Sequence, residues 1–141
     1  MKKTLTSIAT ALIMITSFSS FAAEKTNPLK YVASNKIIET YLAATTFGSI
    51  DFNNFLFTTD FEYTNSANGD RFNKLQYTDF LKAHKGIRYD CTTSYEILDQ
   101  TGKACMAKVT MKFNTFTRID YITLNNTAEG WKVNKVATTY P

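Results

Sequence analysis

The stretch RIDYITLNNTAEGWKVNKV, residues 118–136, decides the fold. It reads as a β-hairpin, with two alternating runs around a polar turn that contains Gly130. Trp131 and Val133 share one face of the second run. In the first, Asp120 alternates with Tyr121, so only one of the two can point inward. An aromatic ring is the cheaper group to bury. The expectation is therefore Tyr121 inside beside Trp131, and Asp120 outside, paired with Lys135 or Arg118.

A hairpin so near the end needs a surface already built. The run from Lys103 to Phe113 supplies it: Cys105, Ala107, Val109, Met111 and Phe113 alternate with Met106, Lys108, Thr110 and Lys112. Ile87 to Asp99 precedes it as a partner strand, joined through Gln100-Thr101-Gly102. A three-residue loop pairs Asp99 with Lys103, which sets Cys105 opposite Ile97 and Met111 opposite Cys91. The cysteines then lie roughly 20 Å apart at about 3.3 Å per residue, too far for a disulfide. Two free, buried thiols are expected.

The first half is helical. Asn27-Pro28 reads as a helix start, and Leu29, Val32, Ile37, Tyr41 and Ala44 follow at helical spacing up to Gly48. Asp51 is placed to cap a short helix carrying Phe52, Phe55 and Leu56. From Thr58 to Asn65 the period falls to two, with Phe61, Tyr63 and Asn65 on one face and Asp60, Glu62 and Thr64 on the other. A polar turn leads to a short return strand at Arg71-Phe72. Asn73 and Gln76 then form a capping-box pattern, opening a helix with Leu75, Tyr77, Phe80, Leu81 and His84 that stops at Gly86. Helices followed by a run of antiparallel strands give an α+β domain, with about three helices packed on the concave face of a strongly curved sheet.

At the other end, Lys2-Lys3, an uncharged apolar run from Leu5 to Phe21, and the small residues Ala22-Ala23 form a secretory signal pattern. Cleavage near residue 22 leaves 23–141 as one exported domain, periplasmic or secreted. No cysteine stands at the cleavage site to take a lipid anchor, so no membrane anchor is expected after cleavage. Without Lys2 and Lys3 the formal charge falls from +4 to +2 (14 basic against 12 acidic side chains), too little to argue for nucleic acid. His84 is the only histidine, and neither cysteine has a His or Cys at metal-ligand spacing. No metal or cofactor is expected.

The element order, with Tyr41-Leu42-Ala43-Ala44, Gly48, Asp60-Phe61, Asp120-Tyr121-Ile122-Thr123-Leu124 and Gly130-Trp131-Lys132-Val133, resembles the nuclear transport factor 2-like superfamily. Within it the chain is most similar to exported SnoaL-like or putative lumazine-binding proteins. The resemblance implies a cone with a mixed or antiparallel sheet, and dimerisation through the outer sheet face, where Met106, Thr110 and Ile119 lie beside Lys108 and Lys112. It also implies a comparison with ketosteroid isomerase, a member of the superfamily that uses a Tyr on the first helix and an Asp base at the end of the first strand. Tyr41 falls on the tyrosine position and Asn65 on the base position. An amide cannot take the proton, so the chain leans away from that chemistry.

Two functions follow as expectations. One is a non-catalytic domain binding a small apolar or aromatic molecule, or a protein partner, in a cone lined by Tyr41, Phe55, Phe61, Tyr63, Asn65, Phe80, His84, Met111, Tyr121 and Trp131. The alternative is a general acid–base enzyme of the isomerase or dehydratase type, using Tyr41, His84 and one of Asp60, Asp90 or Asp120. For each residue there is a plainer role: Tyr41 as core aromatic, His84 as helix-end cation, Trp131 as core, and Asn125-Asn126-Thr127 as loop rather than glycosylation sequon.

Overall fold

A computed structural model describes residues 26–141; the expected leader and its cleavage site lie outside the described residues. In chain order the elements are α1 (Ser34–Thr46), α2 (Asn53–Leu56), β1 (Phe57–Asn65), β2 (Arg71–Asn73), α3 (Lys74–Ala83), β3 (Thr92–Thr101), β4 (Ala104–Lys112), β5 (Thr117–Thr127) and β6 (Gly130–Thr139). The strands form one six-stranded sheet in the order β2-β1-β6-β5-β4-β3. All neighbours are antiparallel except β1 and β6. The terminal hairpin β5–β6 therefore lies in the middle of the sheet, bridging the early β1–β2 pair to the later β3–β4 pair.

One bend recurs in two ladders. Thr123 pairs with Lys135 and Leu124 with Val133, which leaves Asn134 as an extra residue in β6. Against β1 the register also slips there, between Phe57 and Glu62. Asn134 donates its side-chain amide to Thr58 Oγ1 (3.2 Å) and Asp60 Oδ1 (3.1 Å), pinning the bulge to β1. A bulge bends and twists its strand. Here it lets Val133 and Val136 both face the core although they are three residues apart. α1 packs on β4 and β6, and α3 on β1 and β2.

Helix boundaries differ from expectation in two places. Asn27 Oδ1 accepts from the Leu29 amide, but only a turn follows, and α1 begins at Ser34. The Asn27 side-chain amide instead donates to the Glu129 carbonyl, tying this segment to the β5–β6 turn. Asp51 does not cap α2, whose N-cap is Phe52 with no side-chain bond. The capping box of α3 forms as read, with Asn73 Oδ1 accepting from Gln76 N and Gln76 Oε1 accepting from Asn73 N, both at 2.9 Å.

The β3–β4 hairpin is tighter than its sequence suggests. Thr101 pairs with Ala104 across a Gly102-Lys103 loop, and Leu98 is bulged out between Ile97 and Asp99. Cys105 then faces Gln100 and Met111 faces Thr93, not Ile97 and Cys91. Residues 87–91 precede the strand. Both cysteines are free; Cys105 is buried and Cys91 only half-buried. On the outer face Met106 is exposed while Thr110 and Ile119 are half-buried.

Gly130, at φ +96°, opens β6, and a Cβ there would collide with the Lys30 carbonyl. Gly102, at φ +60°, has open space around it. Gly102→Ala should cost about 1–2 kcal/mol, the strain of a left-handed backbone alone. Gly130→Ala should cost more, because the clash adds to the strain. Urea midpoints of the two variants check this; equal losses would show that Lys30 yields freely.

Candidate functional site

The sequence brings four polar side chains to one point inside the sheet. Alternation along β5 puts Asp120, Ile122 and Leu124 on the inner face, all of them completely buried. Tyr121 faces outward and is 39% exposed. This reverses the expected orientation. Ile122 and Leu124 bury a longer apolar run than Tyr121 alone, and a one-residue shift would turn both out. The carboxylate is accommodated because every acceptor position on it is filled.

Asp120 Oδ1 accepts from Arg118 Nε (2.9 Å) and Thr138 Oγ1 (2.7 Å). Oδ2 accepts from Arg118 Nη2 (2.9 Å) and the Tyr41 hydroxyl (2.6 Å). Tyr41 spends its only proton on Asp120, so the Tyr77 hydroxyl, 3.2 Å away, donates to the Tyr41 oxygen. Arg118 and Asp120 are two residues apart on one strand face, Thr138 is the cross-strand partner of Asp120, and Tyr41 reaches down from α1.

Electrostatics follow from burial. Burial opposes charge on the Arg118 guanidinium, but the adjacent Asp120 carboxylate outweighs it and holds Arg118 above its usual range. Burial, and then the negative charge of Asp120, push the Tyr41 hydroxyl well above the usual tyrosine value. Burial also raises Tyr77 and Tyr63. Both thiols are raised, again by burial first, which makes them poor nucleophiles.

Around this network the cone is packed with rings. Tyr77 stacks on Phe61 (centroids 5.3 Å apart) and on Tyr63 (4.7 Å), and Phe57 meets Phe61 at 4.6 Å. Surface grooves among the described residues include five of about 300–480 Å³, and none of these is lined by Tyr41, Tyr77 or Asp120.

The open end is different. Arg118 and Asp120 share one face of β5, and Phe116 stands in the turn just before that strand. Phe116 stacks on Phe113 (4.5 Å) and approaches Tyr140 (6.0 Å). Opposite, Tyr63 stacks on Phe72 (5.6 Å), and Phe72 and Phe80 lie 6.3 Å apart. Phe116, Tyr140 and Phe80 are each 40–49% exposed. Arg118 uses Nε and Nη2 on Asp120; among the described residues its Nη1 donates to nothing.

Of the residues expected in the cone, Tyr41, Phe61, Tyr63, Met111 and Trp131 are buried, and Phe55 is half-buried. Asn65 is half-buried, and its Oδ1 accepts from the Ala67 amide (2.9 Å), so its acceptor serves the turn. Phe80 is at the rim. His84 is the C-cap of α3, with Nδ1 2.8 Å from the Phe80 carbonyl and its ring on Phe80 (4.3 Å). From His84 to the Tyr41 hydroxyl the contacts run through Phe80 and Tyr77, so these two candidates do not meet. Asp60 lies outside, on Asn134, and Asp90 is exposed. Sequence reasoning missed Thr138, Tyr77 as a network member, and Arg118 as an inner residue. The opposite charges at Arg118 and Asp120, two apart on a strand, were the available signal.

Residues 30–140 match the family model described as putative lumazine-binding. The chain belongs to this family. Among solved structures, it is similar to a nuclear transport factor 2-like protein of unknown function from Silicibacter pomeroyi, at 14% identity and a TM-score of 0.63, over 76% of this chain and 92% of that one. A protein of the same kind from Shewanella baltica is similar at 12% identity and 0.63, over 76% and 90%. One from Cytophaga hutchinsonii matches at 14% and 0.62, over 78% and 100%. At such identities the likeness shows the fold alone. No curated protein sequence matches.

Removing one partner of a buried pair leaves the other charge unpaired. Asp120→Asn should therefore destabilise by about 3–5 kcal/mol, and Tyr41→Phe by about 1–3 kcal/mol. The raised tyrosines also set a sign. Above about pH 10 the unfolded chain loses Tyr41's proton and the folded chain keeps it, so that stabilisation fades as pH rises. The advantage of wild type over Tyr41→Phe should hold from pH 7 to 9 and then shrink by up to about 1.4 kcal/mol per pH unit. Urea unfolding across pH 7–11.5 reads this; a constant difference would contradict it.

Proposed function

We propose that this protein is a non-catalytic binding domain that takes a small, flat aromatic molecule at the mouth of its cone rather than in its depth. The observation that carries the reading is Arg118. It is held in place by Asp120, keeps Nη1 without a partner among the described residues, and stands two residues from the exposed ring of Phe116. A fixed donor near a stacking face suits a ring system with carbonyl or anionic acceptors. The family's description, putative lumazine-binding, names a molecule of that kind, a bicyclic dione.

The acid–base alternative has less support. A general base needs a free acceptor within reach of a substrate proton. Asp120 has four donors already, and the Tyr41 hydroxyl is committed to donating to it. Asp60, Asp90 and His84 do not converge with them.

Lumazine itself is the probe. Its fluorescence, titrated with protein, should change saturably, and Phe116→Ala should weaken binding about fivefold by removing one stacking face while leaving the buried network intact. No saturable change, or a Phe116→Ala variant that binds equally well, would overturn the reading. We also propose that the domain works outside the cytoplasm, on the strength of the leader pattern at residues 1–22. N-terminal sequencing of the mature protein should begin at Ala23 or Glu24; a retained Met1 would refute it.

A further inference from the structure

The C-terminal ends of α1 and α3 meet at the surface. Gly48, at φ +63°, packs so closely against residues 84–87 that a Cβ there would collide with the Gly86 and Ile87 amides. Gly86 N donates to the Gly48 carbonyl (3.1 Å), and Tyr89 N donates to the Thr46 carbonyl (2.8 Å). The loop after α3 is thereby fixed against the end of α1. It carries two kinds of exposed group. Phe47 and Ile87 are nearly half exposed, and Lys82, Lys85 and Arg88 are exposed around them. The Arg88 guanidinium lies 4.7 Å from the centre of the Phe47 ring, so apolar and cationic groups stand side by side.

We propose that this patch docks on an anionic phospholipid surface, with Phe47 and Ile87 entering the headgroup layer and the cations meeting lipid phosphates. Charge complementarity selects the partner. Residues 82–88 hold three cations and no acid. None of the three has a carboxylate within ion-pair distance among the described residues, and Asp79 and Asp90 bracket the stretch without pairing with it.

The ordinary role of a cation at a helix C-terminus accounts for Lys82, in the last turn of α3. It does not account for Lys85 and Arg88, which lie beyond Ala83, or for an isoleucine exposed between them. Basic side chains set around exposed apolar ones match a surface that is anionic outside and apolar just beneath. A soluble polyanion would answer the cations and leave Phe47 and Ile87 in water.

Flotation of the leader-free chain, which keeps every element of the fold, tests this on vesicles of phosphatidylcholine, alone or with about one third phosphatidylglycerol. The chain should bind the anionic vesicles at least about tenfold more tightly than the neutral ones, and high salt should release it. Lys85→Gln combined with Arg88→Gln should weaken binding about tenfold. Ile87→Ser keeps the charge and should weaken it about fivefold. None of these changes touches Arg118 or Phe116, so lumazine binding is read separately. The inference is overturned by no binding to anionic vesicles, by equal binding to neutral ones, or by an Ile87→Ser variant that binds undiminished, the mark of a site for soluble polyanions.

Discussion

Everything in the cone is arranged around one carboxylate that is not free to be lost. Asp120 is buried at the centre of the sheet and accepts four hydrogen bonds from three elements: β5 itself, β6 and α1. Such a group is costly to bury, and it is tolerated only because the donors complete it. The requirement runs outward from there. α1 must lie where Tyr41 reaches it, β6 must be in register to present Thr138, and Arg118 must fold back along its own strand. Tyr77 then joins through Tyr41, which couples α3 to the same point.

The saturation that stabilises Asp120 also constrains function. A site with every acceptor filled holds a shape and has little capacity left for proton transfer. At the edge of the network, Arg118 Nη1 donates to nothing among the described residues, and the exposed Phe116 stands two residues away.

Much of the fold was legible because local chemistry and periodicity agreed. Asn73 and Gln76 announce the start of α3, and both bonds form. The alternation from Phe61 to Asn65 marks β1, and that from Cys105 to Met111 marks β4. Errors arose where a bulge or a distant partner intervened. The extra residue at Leu98 shifts the β3–β4 register, and nothing in the local pattern marks it. Asn27 has the look of a helix cap, yet its side-chain amide is claimed by Glu129, far along the chain.

The sequence by itself determined an α+β domain, the alternation of β1 and β4, the capped start of α3, a hairpin at its end, and Tyr41 as an inward aromatic. These depend on side-chain period and capping, which are local. Only the tertiary structure decided that Asp120, and not Tyr121, points inward. Burying a carboxylate is unfavourable judged alone and acceptable once Arg118, Thr138 and Tyr41 converge on it. That convergence joins residues up to 79 positions apart, and no local pattern records it.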